Sequence, residues 1–358
     1  MRKIMILGGY GAVGKHIATE LAKIYPNQII VAGRNGEKAS SLASALNNTV
    51  IPLAFDLDTL SENDARLNDV AILIMCIEAR NAPTAKQCAQ RGIHYLDTSA
   101  SYDYLKEIER LHNSAEKGCA TFLLSAGIVP GLSNLLVKHC VNTCGNRGVA
   151  EIYVLLGLGE AHGEAAIHWS IEQMNAEYVD SLGNRTKSFA NAKQTAFPGD
   201  RFARNAYQFN FSDQHVLPHT LSISSATTRL CFESRFITAL FYFMSASGIG
   251  KVLKLPFARN AMTYCLQKFR FGTDRFSVKV VYRQQATDGA TFSCSITGHE
   301  EARITGITTA LLAHQMMKTD YPHGVFHIEQ LFEPMKIIND LNQHGIQFEQ
   351  TNMRFGND

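Results

Sequence analysis

The sequence predicts an α/β protein: an N-terminal doubly wound Rossmann domain joined to a second, α+β domain with a mostly antiparallel sheet. Three observations carry that expectation. A chain of 358 residues at 46% hydrophobic composition can bury a large core and usually divides in two. Over the first third, short β-rich runs alternate with helical stretches, as in a parallel sheet covered on both faces. The first of those runs opens directly onto a glycine-rich turn and a helix.

Taken in order, the strands are expected over 4–7, 28–32, 50–55, 70–75, 94–96 and 120–124. Helices over 13–24, 37–46, 82–91 and 104–117 lie between them and are long enough to serve as crossovers. Beyond residue 150 the strand-like runs are 152–158, 229–232, 276–282 and 290–295, separated by long loops and helices, so an open antiparallel sheet is expected. The apolar run 236–250 contains Ser and Gly and falls short of the roughly 20 residues a bilayer requires; it reads as a buried helix.

A formal charge of +2, with both signs mixed along the chain, supplies no single-sign field for nucleic acid or a membrane, and neither partner is expected. Eight cysteines without paired spacing fit reduced thiols and a cytoplasmic protein. The apolar run before Gly8 is too short for a signal peptide.

The turn reads Gly8-Gly9-Tyr10-Gly11-Ala12-Val13-Gly14. Gly9 permits the tight turn, Gly11 lets a pyrophosphate approach the backbone, and Gly14 lets helix and strand pack closely. The helix start adds amides and positive dipole. The second strand ends Val31-Ala32-Gly33-Arg34-Asn35, without the carboxylate that NAD-preferring versions place there. Arg34 suits a 2′-phosphate, so NADP is favoured over NAD. Asp56, after the third strand, has two readings, a contact to the adenine edge or a cap for the next helix.

Ligands gather at the carboxyl ends of such strands, which brings forward Cys76, Ile77 and Glu78, then Asp97, Thr98 and Ser99, then Ser125, Ala126 and Gly127. Asp97 is the leading carboxylate for acid-base work and Tyr102 a hydrogen-bond donor to substrate, although Asp97-Thr98-Ser99 also fits a helix cap. Cys76 reads as a small core residue beside the cofactor rather than a nucleophile.

The run Gly8 to Gly14, the stretch Ala32-Gly33-Arg34-Asn35-Gly36-Glu37-Lys38-Ala39, the segment Gly92-Ile93-His94-Tyr95-Leu96-Asp97-Thr98-Ser99 and the loop Ala126-Gly127-Ile128-Val129-Pro130-Gly131 together resemble the saccharopine dehydrogenase-like oxidoreductases. Toward the C-terminus, Ala302 to Ala310, Gly324-Val325 and Leu341 to Ile346 are similar to that family's closing helices. The resemblance implies that 305–358 returns to complete a Rossmann domain begun by 1–128, leaving 129–304 as a substrate and dimerisation domain that pairs with a second copy. It also implies hydride transfer between nicotinamide and a carbon bonded to nitrogen in an amino-acid-derived small molecule.

In the middle domain, Gly159 to Ser170 is the densest polar and aromatic cluster and holds the single tryptophan. Glu164 and His168, four apart, share a helix face beside Trp169. His168 is a candidate acid and Glu164 and Trp169 candidate substrate contacts, against the plainer reading that the ring residues pack on the sheet. His162, Glu164 and His168 lack metal-site order, and no metal is expected. His139, Cys140 and Cys144 read as structural. Among Arg201, Arg204, Arg235, Arg270 and Arg275, Arg275 is the first candidate for a substrate carboxylate. Two other functions stay open: reduction of a C=C or C=O bond on a larger apolar substrate, suggested by 20 phenylalanines, and nucleotide sensing without turnover.

Overall fold

The structure, a computed structural model, describes residues 2–61, 64–77, 82–159, 164–174, 176–248, 255–268, 271–285 and 291–353. The first stretch alternates strand and helix: β1 (Lys3–Leu7), α1 (Gly14–Ile24), β2 (Ile29–Gly33), α2 (Gly36–Ala45), β3 (Val50–Ala54), β4 (Val70–Met75), α3 (Pro83–Arg91), β5 (His94–Asp97), α4 (Tyr102–Glu109), α5 (His112–Lys117) and β6 (Thr121–Leu124). The helix expected over 104–117 is two, broken around Arg110 and Leu111.

The chain continues through α6 (Leu132–Cys144), β7 (Gly148–Leu158), α7 (Glu164–Gln173), β8 (Glu177–Val179), β9 (Arg185–Lys187), β10 (Lys193–Thr195), β11 (Arg204–Gln208), α8 (Asp213–Thr220), β12 (Ser225–Phe232), α9 (Arg235–Ala246), α10 (Pro256–Lys268), β13 (Phe271–Gln284) and β14 (Thr291–His299). It closes with α11 (Glu301–Lys318), β15 (Gly324–His327), α12 (Ile328–Leu331), α13 (Pro334–Asn342) and β16 (Gln347–Met353).

Two compact units result: Met1–Gly131 with Ala302–Leu331, and Leu132–Glu301 with Phe332–Asp358. The first is a seven-stranded sheet in the order β15-β6-β5-β4-β1-β2-β3, all neighbours parallel. Strands β1 and β4 are buried along nearly their whole length, which is why they read as continuous apolar runs rather than alternating ones. Strand order reverses about β1, with β2 on one side and β4 on the other, so the loop after β1 opens at the switch point.

The second unit holds a seven-stranded sheet, β10-β11-β12-β7-β13-β14-β16, antiparallel except for the parallel β12–β7 pair. Phe276, Val278, Val280 and Tyr282 of β13 and Phe292, Cys294 and Ile296 of β14 are buried on one side of it. Cys140 of α6 meets Cys294 there, sulfur to sulfur at 3.5 Å, which bears on the structural reading of Cys140. A two-stranded β8–β9 ribbon stands apart.

Two expectations need correction. The whole of 305–358 does not return to the first unit: only Ala302–Leu331 does, giving α11 and the seventh strand β15. Strand β16 pairs along its length with β14, and Phe348 and Gln350, on one face of it, both meet His139 of α6. Nor is the helix at 236–250 buried. In α9 only Thr238, Phe241 and Ser245 are enclosed, while Phe236, Leu240, Tyr242 and Phe243 are exposed.

Candidate functional site

Glycine geometry builds the turn after β1. Gly8 has φ +80, a conformation an L side chain rarely adopts. A Cβ on Gly9 would lie 2.9 Å from the Ile6 carbonyl and 3.0 Å from the Val31 side chain, so the turn runs hard against β2. On Gly14 a Cβ would lie 2.2 Å from Gly8 O and 2.7 Å from Gly9 Cα, so α1 starts in direct contact with the loop. Gly11 differs. Its Cβ would meet Gly8 O at 3.0 Å and, beyond that peptide, nothing within 4 Å.

That open side fits a pyrophosphate. The amides of Ala12 and Val13 have no backbone acceptor among the described residues, and α1 has neither a side-chain cap nor an acidic residue in its first turn. Unspent amides and an uncompensated dipole are what an anion requires at a helix start. Behind the turn, α11 comes so close that a Cβ on Gly306 would sit 2.5 Å from the His16 Cβ and 3.0 Å from Val13 O.

Tyr10 ties this loop to the end of β2. Its ring lies against Gly33, where a Cβ would approach to 2.6 Å, and its hydroxyl accepts the Asn35 amide at 2.9 Å. Asn35 in turn caps α2, its side chain accepting from the Lys38 amide at 2.9 Å. Arg34, between them, is exposed and has no ion pair among the described residues. Asp56 caps: its Oδ1 accepts the Asp58 amide at 3.1 Å at the head of the short 3-10 turn Leu57–Thr59.

At the carboxyl ends of β4, β5 and β6 the predicted residues fall into different environments. Cys76 continues β4, its amide bonded to Leu7 O at 3.0 Å, and burial beside Asp97 pushes its thiol well above the ordinary range, so it is no nucleophile. Ile77 lies against Gly8. Thr98 is half-buried, with amide and hydroxyl both donated to Met75 O at 3.2 and 3.1 Å. Gly127 is buried and bridges to Gly131, its amide bonded to Pro130 O at 3.1 Å.

Asp97 itself is 0% exposed. Its Oδ2 accepts the Tyr95 hydroxyl at 2.7 Å, Tyr95 contacts the Tyr104 hydroxyl at 2.9 Å, and its Oδ1 accepts the Ser99 amide at 2.7 Å. Burial raises its pKa to about 6, outweighing the hydrogen bonds from Ser99, Tyr95 and Tyr104 that pull it down. The carboxyl therefore holds the turn to Ser99 within a closed tyrosine network. It does not cap α4, whose N-cap is Ser101. Tyr102 opens that helix half-buried, with Lys106 Nζ 5.9 Å from its ring centre.

Sequence reasoning missed a second array in this unit. Ser125, at φ +59 directly after β6, bonds His327 Nδ1 at 2.8 Å, and His327 Nε2 bonds Glu109 at 2.9 Å. Ser125 and His327 are buried, so the array anchors the loop to Gly131 rather than presenting a nucleophile. The two residues lie 202 positions apart, on strands whose adjacency no local pattern reveals. Concavities lined by His94, Thr121, Asp320 and His323, and by Arg2, Asn68, Asp69 and Arg91, lie at the opposite, amino ends of the strands.

In the second unit, His168 and Trp169 lie on α7, both half-buried. The indole packs on Phe209 and Phe211, with ring centres at 5.9 and 5.5 Å, which is the packing role weighed above. Glu164 starts the helix. Glu78, His162 and Arg270 lie outside the described residues, as does the Glu164 side chain. Arg275 is committed internally: it donates to Pro198 O, and its Nη1 stands 3.4 Å from Asp200, which also binds Arg204. Its guanidinium thus already has protein acceptors on both terminal nitrogens. Phe232 and Phe241 pack together at 4.9 Å and Phe189 joins them, so these phenylalanines form core rather than an apolar pocket. No group of three metal-ligating side chains occurs among the described residues.

Residues 4–123 match the saccharopine dehydrogenase NADP binding domain family. In fold, the whole chain resembles apo saccharopine dehydrogenase (L-Glu forming) from Saccharomyces cerevisiae, at TM-score 0.67 and 15% identity over 99% of this chain and 100% of that one. A probable dehydrogenase from Thermotoga maritima is similar at TM-score 0.45 and 10% identity over 98% of each chain. No curated protein sequence matches this chain. The likeness over the whole chain is one of fold, and the match over 4–123 is to an NADP-binding domain.

Proposed function

We propose that this protein is an NADP(H)-dependent oxidoreductase acting at a carbon–nitrogen bond, imine or secondary amine, of an amino-acid-derived substrate. The observation that carries the cofactor assignment is the end of β2, where Tyr10 and Asn35 fix the backbone and leave Arg34 exposed, with no carboxylate at the position that would accept ribose hydroxyls. In this reading the amides of Ala12 and Val13 hold the pyrophosphate, and the Arg34 guanidinium forks onto the 2′-phosphate.

Bound NADP(H) supplies or accepts the hydride. The chain's residues orient: Ile77, Thr98 and Gly127 shape the carboxyl ends of the strands, and Asp97 sets the Thr98 turn from behind. His168 is the second unit's candidate proton donor. The substrate class draws support from the domain match over 4–123 and from the fold likeness to the yeast saccharopine enzyme. Since Arg275 is paired with Asp200, another cation would have to hold the substrate's carboxylates.

Fluorescence titration with NADPH and NADH tests the assignment. Losing a charge-assisted phosphate contact costs about 1.5–3 kcal/mol, so Arg34→Ala should weaken NADPH by roughly tenfold to a hundredfold and leave NADH nearly unchanged. Equal weakening of both would remove the 2′-phosphate role; binding of neither by the unaltered protein would remove the oxidoreductase reading.

A further inference from the structure

A helix on the flank of a sheet normally turns its apolar side inward. Helix α9 buries Phe241 but carries apolar residues on its outer side as well. Thr238, Phe241 and Ser245 face inward: the Thr238 hydroxyl accepts the Phe232 amide of β12 at 2.9 Å and Ser245 donates to Ser188 O, just after β9, at 3.1 Å. At 3.6 residues per turn, Phe236, Leu240 and Phe243 form the opposite stripe, and Phe236 is 76% and Phe243 59% exposed. Phe202, 72% exposed, adds to it: Arg235 lies 6.0 Å over the Phe202 ring and donates to the carbonyls of Phe202 and Ala203. An apolar outer stripe with a further ring fixed beside it is a surface built to be covered.

Charge indicates what covers it. Arg201 and Arg235 border the stripe, both exposed and without an ion pair among the described residues, and α9 contains no acidic residue. Helix α10, in the same unit, repeats the pattern: Phe257, Ala261 and Tyr264 face outward at the same spacing, Thr263 is buried, and again no acidic residue is present. A second copy bound through the same patch would bring together two patches with the same excess of positive charge, with no acidic residue on α9 or α10 to pair it. An anionic lipid surface accepts phenyl rings below its headgroups and arginines among them.

We infer that the α9 face, with Phe202 and Arg201, docks on an anionic lipid bilayer. It lies on the surface and does not cross it: 12 residues of helix reach roughly 18 Å, against about 30 Å of hydrocarbon, and no described helix is long and apolar enough to span. The mixed charge of the whole chain gave no sign of this, because the cations act locally.

The test is flotation of the full chain with phosphatidylcholine vesicles, with and without phosphatidylserine, at low and high salt. Binding is expected to the serine-containing vesicles and to weaken with salt. Phe236→Ser with Phe243→Ser should lower the bound fraction on the order of tenfold, two side chains losing their burial, and Arg201→Gln with Arg235→Gln roughly tenfold at low salt. NADPH binding should be unchanged in all variants, which keeps this outcome separate from the cofactor assignment. If the phenylalanine variant fails to fold, the arginine variant carries the test. Absence of flotation by the unaltered protein would overturn the inference, as would a concentration-dependent dimer that the phenylalanine variant renders monomeric.

Discussion

Gly14→Ala should cost the first unit about 3 kcal/mol or more, whereas Gly11→Ala should leave its stability nearly intact and abolish tight nucleotide binding. The two positions lie in one turn and differ in what a methyl group meets. At Gly14 it would overlap Gly8 O at 2.2 Å and Gly9 Cα at 2.7 Å, both backbone atoms, and Gly8 is itself pinned through its amide to Ala32 O at 2.9 Å. Neither side can give without displacing β1 or α1, so the cost belongs with the severe overpacking cases. At Gly11 the methyl meets one carbonyl at 3.0 Å and then open space, the space assigned to the pyrophosphate. A displaced phosphate loses several charge-assisted contacts, so NADPH affinity should fall on the order of a hundredfold or more. Calorimetry with a nucleotide titration separates them: Gly14→Ala should lower the unit's melting temperature by roughly 10 °C, and Gly11→Ala by a degree or two. Equal melting shifts in the two variants would mean that the steric contrast across the turn is not real.

The contrast between legible and illegible residues follows from the range of the forces that place them. Strands β1 and β4 were readable because both faces are buried, so the apolar run is continuous and a turn or glycine ends it. The turn itself was readable because each glycine answers a local backbone demand. Strand β15 was not, since Gly324–His327 acquires its role only by lying beside β6, with Gly324 against Thr121. The same holds for the partition at Leu331 and Phe332. Nothing local says that β16 should seek β14 and not the parallel sheet; its partners, β14 and His139 of α6, lie far away in sequence. Side-chain roles were least legible. Arg275 looked available until Pro198 and Asp200 were seen to bind it, and α9 looked like core because an apolar run carries no sign of which side faces out.

Asp97 shows most sharply how a residue type suggested one role and its surroundings another, and Asp97→Asn should stabilise the protein above pH 6. Transfer from water into a site with 0% exposure disfavours the charged carboxylate more than the bonds from Ser99, Tyr95 and Tyr104 favour it, so the group titrates at about 6 in the folded chain against an ordinary 3.8. The folded state therefore binds this proton more tightly than the unfolded one. The stability that this contributes is fully present below pH 3.8 and is lost as pH rises through about 6, a swing of about 3 kcal/mol. Asparagine keeps an oxygen for the Ser99 amide and offers an N–H to the Tyr95 hydroxyl, so the network can close without the charge. The variant should match the unaltered protein near pH 4 and exceed it by up to about 3 kcal/mol near pH 8, less whatever the rearranged hydrogen bonds cost. Urea unfolding at the two pH values reads the difference directly. A variant weaker at both by the same amount would mean that hydrogen bonding to the carboxylate, not its desolvation, governs the site. In that case a charged Asp97 would stand at the carboxyl end of β5 at neutral pH, restoring the general-base role that its burial argues against.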